Sequence, residues 1–284
     1  MTFSIVGRSK DGKILGVAVA SKFLAVGGFV PAAAAGSGAL ATQAYGNLAL
    51  RTEGLAMLER GMTASEMLEK FLASDLQKEE RQIGVVDADG RVVTFTGNRC
   101  QPWAGGRAEE SDQGSYAIQG NMLTGPEVVD AMAEAWLEPS DKPLARRLVR
   151  SLAAGQAAGG DPRGKQAAAV LVVSKGKGYG GLSDVVVDLR CDDAPEPIDE
   201  LLRMLELHEL YFGSTPEDKL LSINETMAEE LRSLLRTVGY GSGDTARDLY
   251  DWMGKENFEE RWHEGKIDPV VFDQLKMMSS DKAA

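Results

Sequence analysis

Short apolar runs separated by turn residues fill the first part of the chain and predict β-strands. The chain opens on an apolar run at residues 2–8, and a second run at 14–21 follows the turn signal Asp11-Gly12. Because an Asp-Gly pair between apolar runs favours a tight hairpin turn, the two runs predict an antiparallel hairpin. Further extended segments are predicted at 23–31, 38–44, 82–86, 91–96, 115–119, 165–174 and 184–189.

Amphipathic stretches between these runs predict helices in pairs. Leucines at helical spacing predict a helix over 48–60, and the capping box from Thr63 to Glu66 starts a second helix. A similar box at 124–127 starts a third helix, and a fourth is predicted over 143–154. Strands and helix pairs therefore alternate, which predicts an α+β fold whose helices cover the faces of sheets.

The composition changes at residues 192–197, which are rich in Asp, Pro and Glu. The sequence beyond this point has a helical pattern, with helix start signals at 214–217 and 222–225. Two domains are therefore predicted, a larger one at 1–193 and a small all-α domain at 194–284.

Charge and hydropathy narrow the classes of partner. The formal net charge is -12 and the pI is about 4.8, whereas nucleic acids and anionic membrane surfaces attract proteins with clustered Lys and Arg. No apolar run is long enough for a membrane-spanning helix. Basic residues precede an apolar stretch near the N-terminus, but Asp11 and Lys22 interrupt the pattern of an export signal. We therefore expect neither a nucleic-acid partner nor a membrane partner.

The cysteines and histidines are few and scattered. Cys100 and Cys191 have no disulfide-framework or zinc-like spacing, so a reducing, cytoplasmic location without a metal or cofactor is predicted. Cys100 follows a turn-like stretch, where it is either a reactive thiol or, more commonly, a structural residue. The two histidines, His208 and His263, both lie in the last third of the chain. A hydrolase of this sequence is therefore expected to use a base other than histidine.

Thr2 offers such a base if Met1 is removed. The residue would then carry a hydroxyl nucleophile and a free α-amino group, whose pKa is about 7.7–8.0. An N-terminal threonine that is activated by its own amine is a known form of nucleophilic catalysis. Since many proteins begin with Met-Thr, the pair alone is a weak signal.

Four further stretches carry polar groups at the ends of predicted strands. The motifs Gln43 to Asn47 and Gln119 to Asn121 both end in Gly-Asn, where an asparagine amide can donate to an oxyanion or simply cap a turn. The loop at 159–166 contains Asp161 and Arg163, either a fixed ion pair near a terminal amine or solvated charges. The remaining stretch is the Ser21-Lys22 pair at the end of the second predicted strand. The pair offers a hydroxyl and an ammonium close to the N-terminus, or Lys22 is simply a solvated residue at the strand end.

These motifs together resemble a known family. They are Met-Thr-Phe-Ser-Ile-Val-Gly-Arg at 1–8, Leu-Gly-Val-Ala-Val-Ala-Ser-Lys at 15–22, Ala-Thr-Gln-Ala-Tyr-Gly-Asn at 41–47, Gln-Gly-Asn at 119–121 and Gly-Gly-Asp-Pro-Arg-Gly-Lys-Gln at 159–166. Over about residues 1–212 the chain resembles the family of unknown function DUF1028, which is placed among Ntn-hydrolase-like proteins, relatives in fold of proteasome β-subunits. The C-terminal part, with Ile-Asp-Pro at 267–269, resembles a small helical peptidoglycan-binding-like domain.

The resemblance implies a four-layer αββα sandwich with Thr2 in the position of the nucleophile. Ser21 falls where proteasome-type enzymes carry an active-site aspartate, and Asp161 falls near a second aspartate that supports the terminal amine. The catalytic lysine of those enzymes, expected near Val30 and Pro31, has no counterpart, and Lys22 is the candidate substitute.

Two functional hypotheses follow from the motifs and the resemblance. The first is an Ntn-type hydrolase that cleaves a small amide or peptide bond, assembled as a homo-oligomer. The second is a non-catalytic Ntn-fold binding or scaffold protein whose C-terminal module binds a glycan, a peptide or a partner subunit. The catalytic candidates are Thr2, Ser21, Lys22, Asn47, Asn121 and Asp161, and the substrate-binding candidates are Gln43, Gln119 and Arg163.

Overall fold

The computed structural model of the chain describes residues 2–283, which form a mixed α+β fold with a helical C-terminal part, as the sequence predicts. Two compact units are present, one extending to Leu205 and the other beginning at Glu206. The division falls within a helix, and the boundary predicted between residues 193 and 194 lies just before that helix.

Strands dominate the first unit. They are β1 (Thr2–Arg8), β2 (Ile14–Ser21), β3 (Pro31–Ala34), β4 (Gly38–Ala44), β5 (Arg81–Asp87), β6 (Val92–Thr96), β7 (Gly105–Glu109), β8 (Tyr116–Asn121), β9 (Ala167–Ser174) and β10 (Val185–Cys191). The helices that accompany them are α1 (Ala49–Glu59), α2 (Ala64–Ser74), α3 (Glu127–Leu137), α4 (Leu144–Ala157) and α5 (Pro197–Phe212). All strand pairs are antiparallel, in a six-stranded sheet of order β10-β9-β2-β1-β8-β7 and a four-stranded sheet of order β3-β4-β5-β6.

Strand β1 lies inside the six-stranded sheet, and its side chains alternate between two buried faces. Phe3 and Ile5 pack with α3 and α4 in one apolar cluster, whereas Val6 packs with residues of the four-stranded sheet in another. Since side chains alternate along a strand, Thr2 and Ser4 share the face of Val6. The polar end of β1 is therefore directed towards the space between the two sheets.

Three apolar clusters define the layers of this unit. The first joins α3 and α4 to the six-stranded sheet, with Trp136 and Leu148 fully buried against it. The second joins the two sheets, and the third joins the four-stranded sheet to α1 and α2, with Leu50 and Met67 fully buried. The layers therefore run helix pair, sheet, sheet, helix pair.

The two predicted capping boxes have different outcomes. At the start of α2, the Thr63 hydroxyl accepts from the Glu66 N–H at 3.2 Å, and the Glu66 carboxylate accepts from the Thr63 N–H at 2.8 Å. The box predicted at 124–127 is wrong, because α3 begins after Pro126 without a side-chain cap. Proline at the helix start has a φ suited to the helix and no N–H that needs a partner.

The strand predicted over 23–31 is also wrong. A 3₁₀ turn occupies Val26–Gly28, and the strand begins only at Pro31. A Cβ on Gly27 would lie 2.4 Å from the Cβ of Ala169, so this turn depends on glycine for its close approach to β9. Strand β7 was not predicted, since it begins with two glycines, which are poor strand formers.

The second unit contains three further helices and a short two-stranded sheet. Its elements are β11 (Leu221–Ser222), α6 (Glu225–Thr237), α7 (Thr245–Lys255), β12 (Lys266–Ile267) and α8 (Pro269–Ala283). The predicted helical character is confirmed, but the β-pair was not predicted, and the start signal at 214–217 leads only to a 3₁₀ turn. Inside the unit, Arg261 and Asp268 form an ion pair at 2.7 Å, with side chains 5% and 0% exposed.

Candidate active site

The register of β1 brings three of the predicted site residues side by side. Thr2 pairs with Ser21 on β2 and with Asn121 on β8. The Oγ1 atom of Thr2 lies 3.0 Å from the Oγ atom of Ser21, and either hydroxyl can donate. The two residues are 9% and 4% exposed, so this hydroxyl pair is held at the edge of the protein interior.

A buried amide network lies beside Thr2, between the two sheets. Gln43 on β4 donates from Nε2 to the Thr2 carbonyl at 3.2 Å and to Gln82 Oε1 at 2.9 Å. Asn121 donates from Nδ2 to the same Gln82 oxygen at 2.9 Å and more weakly, at 3.5 Å, to the Thr2 carbonyl. Gln82, which the sequence analysis did not single out, is therefore the acceptor that both amides share.

Gln119 lies deeper in this network. Its Nε2 donates to Ser4 Oγ at 2.6 Å, and the Ser4 hydroxyl donates to Gln43 Oε1 at 2.7 Å. The side chain is 0% exposed, and its Oε1 has no hydrogen-bond partner among the described residues. The substrate-binding role predicted for Gln119 does not fit this burial, because a substrate would have to displace the network to reach it.

Asp161 holds the loop before β9 against the end of β2. It accepts from the Lys22 N–H at 3.0 Å and from the Arg163 N–H at 2.8 Å, and it forms an ion pair with the Arg163 guanidinium at 3.0 Å. Its side chain is 2% exposed, whereas that of Arg163 is 41% exposed. Asp161 is thereby bonded to the backbone of Lys22, the residue that follows Ser21, whereas the Lys22 side chain is exposed.

Asn47 belongs to a different polar cluster. Its Nδ2 donates to Asp75 Oδ2 at 3.1 Å, while its Oδ1 accepts from the Ala49 N–H at 3.2 Å, where α1 begins. Both ends of the amide are therefore engaged in local structure, and the predicted oxyanion role does not fit this placement. The capping alternative describes what the side chain does.

The same cluster fixes the segment that follows β4. Asp75 and Arg81 form an ion pair at 2.8 Å with side chains 7% and 5% exposed, and Arg81 also donates to the Tyr45 carbonyl. Hydrogen bonds from Arg81, assisted by Asn47 and the Gln77 N–H, lower the pKa of Asp75 from 3.8 to about 2 although burial acts in the opposite direction. The pair is thus charged at neutral pH and holds the backbone of Tyr45.

Two cavities border this strand end. The Thr2 cavity, of about 280 Å³, is lined by Thr2 and by residues of the segments 23–30 and 42–48. The Asn121 cavity, of about 450 Å³, is lined by Asn121, Met122, Glu80 and the residues 99–101. Ala44 and Tyr45 line both cavities, so the segment that Arg81 fixes is the wall common to them. Lys22, Gln119, Asp161 and Arg163 are not among the residues that line them.

Two residues with a strained backbone lie at the same place. Among the described residues, Ala25, Ala44, Met122 and Asn257 have positive φ without being glycine, at 52°, 64°, 56° and 61°. Ala44 and Met122 line the Asn121 cavity. A side chain in this conformation costs about 1–2 kcal/mol, and such residues cluster at functional sites. No sequence signal marks them, since alanine and methionine rarely adopt this conformation.

The Asn121 cavity also contains Cys100. Its Sγ donates to the Arg81 carbonyl at 3.3 Å, and burial raises the pKa of the thiol above 9.0. Because the thiolate is the reactive form of cysteine, a raised pKa favours the structural alternative for this residue. Among residues 2–283, no group of three or more His, Cys, Asp or Glu side chains is arranged to hold a metal ion.

The second unit has a cavity of its own, of about 600 Å³. Leu231 and Leu249 contribute to its apolar lining, and Arg232 and Glu264 bring one positive and one negative charge. Tyr250 and Trp262 line it as an edge-to-face pair with ring centroids 5.1 Å apart. An apolar cavity with a few polar groups and exposed aromatic rings is typical of a ligand-binding site.

Comparisons with known proteins identify the family. Residues 2–201 match the family of unknown function DUF1028, so the chain belongs to that family, as its motifs predict. Residues 211–275 match a peptidoglycan-binding-like domain. The crystal structure of a DUF1028 protein from Silicibacter pomeroyi is similar at 28% identity and a TM-score of 0.65, covering 76% of this chain and 90% of that one. No functionally curated protein matches the chain.

The helices of the described part of the chain include none that is long and apolar enough to cross a membrane.

Proposed function

We propose that the chain is an Ntn-type hydrolase that cleaves a small amide or peptide bond with Thr2 as its nucleophile. The observation that carries the proposal is that the Thr2 hydroxyl lies 3.0 Å from the Ser21 hydroxyl and that Thr2 lines a cavity of about 280 Å³. The layer order of helix pair, sheet, sheet and helix pair supports the assignment of the first unit as an Ntn-hydrolase-like αββα sandwich.

The proposed reaction begins when removal of Met1 frees the α-amino group of Thr2. The amine takes the hydroxyl proton while Oγ1 attacks the carbonyl carbon, and it then gives this proton to the leaving nitrogen as the C–N bond breaks. Water cleaves the resulting ester in the same manner and restores the Thr2 hydroxyl. Each step conserves protons, with the amine as the base and acid and water as the co-reactant.

The oxyanion of this reaction needs an N–H donor near Thr2. Asn121 is occupied with Gln82, and Asn47 with Asp75. Gly46 lines the Thr2 cavity, and its backbone N–H donates to no backbone carbonyl among the described residues. We therefore assign the donor role to Gly46, where a preorganised N–H would stabilise the developing charge.

Ser21 and Asp161 are proposed as positioning residues. The Ser21 hydroxyl orients Thr2 Oγ1 directly, and Asp161 fixes the end of β2 through the Lys22 N–H. Lys22 thus takes part through its backbone, and its exposed side chain is a poor candidate for the missing catalytic lysine. Replacement of Lys22 by alanine is therefore expected to leave the reaction almost unchanged.

Intact mass and a matched set of variants test the proposal. The purified protein is expected to have lost one methionine, and Thr2→Ala is expected to lower hydrolysis in a screen of small amides by at least about 10³-fold. Thr2→Ser retains a hydroxyl and keeps measurable activity, and Thr52→Ala, on an exposed position of α1, serves as the control. Retention of Met1, or full activity of Thr2→Ala, would refute the nucleophile.

A second proposed function concerns the other unit, which we assign as a module that binds a peptidoglycan-like glycan. The family match of residues 211–275 and the cavity with Tyr250 and Trp262 support it. Cosedimentation with purified peptidoglycan is expected for the full chain and for Thr2→Ala, but not for Trp262→Ala. Tyr179→Ala removes an aromatic ring that is 59% exposed in the first unit and is the control. Equal binding by all variants would contradict this site.

The homo-oligomer expected from the resemblance is a separate proposal. Native mass spectrometry of the full chain tests it directly, and a mass of one chain would contradict it.

A further inference from the structure

We infer that the Thr2 cavity is an apolar specificity pocket that selects amides with an aromatic or branched aliphatic substituent. This inference rests on the proposed function, because it assigns the substrate class of the same site. Its evidence is independent of catalysis and consists of the lining, the size and the charge of the cavity.

The lining combines buried and exposed apolar side chains. Val26 and Val30 are 2% and 5% exposed, whereas Phe23, Phe29 and Leu48 are 51%, 42% and 47% exposed. Large apolar side chains exposed side by side around a cavity commonly mark a binding site. The rings of Phe23 and Phe29 already pack edge to face, with centroids 5.4 Å apart, so the apolar wall is formed before any ligand arrives.

The volume sets the size of the group that fits. An engineered cavity of about 150 Å³ lined by apolar residues holds benzene. A volume of about 280 Å³ therefore accommodates a phenyl or isobutyl group together with the amide attached to it. A methyl group would leave most of the apolar wall in contact with water, so small substituents gain little from the pocket.

The charges distinguish the two cavities. No residue lining the Thr2 cavity is an Asp, Glu, Lys, Arg or His, although the whole chain has a net charge of -12. Glu80 and Arg99 line the Asn121 cavity, which shares Ala44 and Tyr45 with the Thr2 cavity. A charged substituent would lose its hydration in the Thr2 cavity without finding a charged side chain as a partner. The substrate is accordingly an amide that joins an apolar group, held beside Thr2, to a more polar group.

Ligand titration of the full-length Thr2→Ala protein tests this pocket without requiring hydrolysis. We use N-acetyl-phenylalaninamide, N-acetyl-leucinamide and N-acetyl-glycinamide, followed by NMR because millimolar affinities are measurable. The first two are expected to bind at least about tenfold more tightly than the third, as the loss of several methylene-sized contacts implies. Equal affinities, or no binding of any of the three, would overturn the inference.

Three variants locate the binding. Phe29→Ala is expected to reduce the preference for phenylalaninamide over glycinamide by about tenfold, and Phe29→Leu is expected to retain most of it. Leu182→Ala removes an apolar side chain that is 95% exposed and does not line the pocket, so it should leave the preference unchanged. If sedimentation shows a wild-type dimer that Phe29→Ala dissociates while ligand binding is absent, a second copy occupies the surface and the inference is wrong.

The proposed hydrolase activity and the proposed apolar pocket can be refuted separately. Selective binding by Thr2→Ala combined with an inactive wild type would refute the hydrolase and retain the pocket. Hydrolysis without a preference between phenylalanine and glycine amides would refute the pocket and retain the hydrolase.

Discussion

Replacement of Gln82 by methionine probes the amide network that supports Thr2. The side chain is 0% exposed and accepts from both Gln43 and Asn121 at 2.9 Å. Its own Nε2 donates to the carbonyls of Gly120 at 2.7 Å and Gly105 at 3.2 Å, and to Thr96 Oγ1 at 3.0 Å. Methionine has a similar length and no hydrogen-bonding amide, so Gln82→Met removes these bonds with little change of volume.

The expected loss of folding free energy in Gln82→Met follows from the number of groups that lose a hydrogen-bond partner. Each net hydrogen bond is worth about 1 kcal/mol, and an unsatisfied buried group costs about 1–3 kcal/mol. Gln43 keeps its bonds to the carbonyls of Thr2 and Gln119, whereas Asn121 keeps only the long one to Thr2. The loss of five bonds, at about 1 kcal/mol each and partly offset by about 1–2 kcal/mol from burying an apolar side chain, gives an expected destabilisation of about 3–4 kcal/mol.

Hydrogen exchange at increasing urea concentrations is the suitable assay, because the chain has two compact units that need not unfold together. Amides of β5 and β8 report on the first unit and amides of α8 on the second. The loss of protection is expected in β5 and β8 alone. Gln113→Met, at a partly exposed position outside the amide network, is the matched control.

A double-mutant cycle with Gln43→Met sharpens the result. Because the two glutamines share a bond at 2.9 Å, a coupling of about 1 kcal/mol is expected between them. A change below about 0.5 kcal/mol in Gln82→Met, equal to that of an ordinary surface substitution, would refute the view that this network stabilises the site.

Three other changes test separate parts of the fold by urea unfolding. Asp75→Asn should cost about 2 kcal/mol at neutral pH, because a pKa lowered from 3.8 to about 2 is a stabilisation of that order. Because the pKa of Asp75 is lower in the folded state than in the unfolded state, the wild type is more stable than Asp75→Asn by the full amount above about pH 5, and this difference disappears as the pH falls towards 2. A constant difference in stability across this range would contradict the prediction. Thr63→Ala should cost about 1 kcal/mol through loss of the α2 cap, and no change would contradict that role. Arg261→Met leaves the buried Asp268 unpaired and should destabilise the second unit by about 3–5 kcal/mol, and unchanged exchange in α8 would contradict this.

Part of the site follows from local sequence patterns. The Asp11-Gly12 turn predicts the β1–β2 hairpin, and the hairpin brings the start of one strand beside the end of the other, where Thr2 and Ser21 pair. The loop motif at 159–166 adds Asp161, which the structure brings to Lys22 at the end of the same strand. Turn chemistry and strand periodicity are short-range effects, and this is why a single sequence predicts them.

The rest depends on contacts between distant parts of the chain. Gln82 is 39 residues from both Gln43 and Asn121, and its predicted strand gives no sign that its amide joins two sheets. The apolar sequence of residues 23–31 predicts an extended strand. The structure has a turn at Gly27 in its place, and Phe23 and Phe29 line the cavity. Tertiary packing decides which apolar residues line a cavity, and the hydrophobic pattern of the local sequence does not reveal it.

The polar end of β1 needs an explanation that stability alone does not give. Thr2 and Ser4 occupy the face that Val6 continues into the core between the sheets, where an apolar pair would avoid the need for buried partners. Instead, Gln43 and Gln119 enclose Ser4 in hydrogen bonds, and one oxygen of Gln119 has no partner among the described residues. Replacing a buried polar network by apolar side chains of the same shape is often neutral or stabilising. A network that carries an unsatisfied atom and contacts the Thr2 carbonyl is therefore better explained by the fixed position it gives Thr2 than by its contribution to folding.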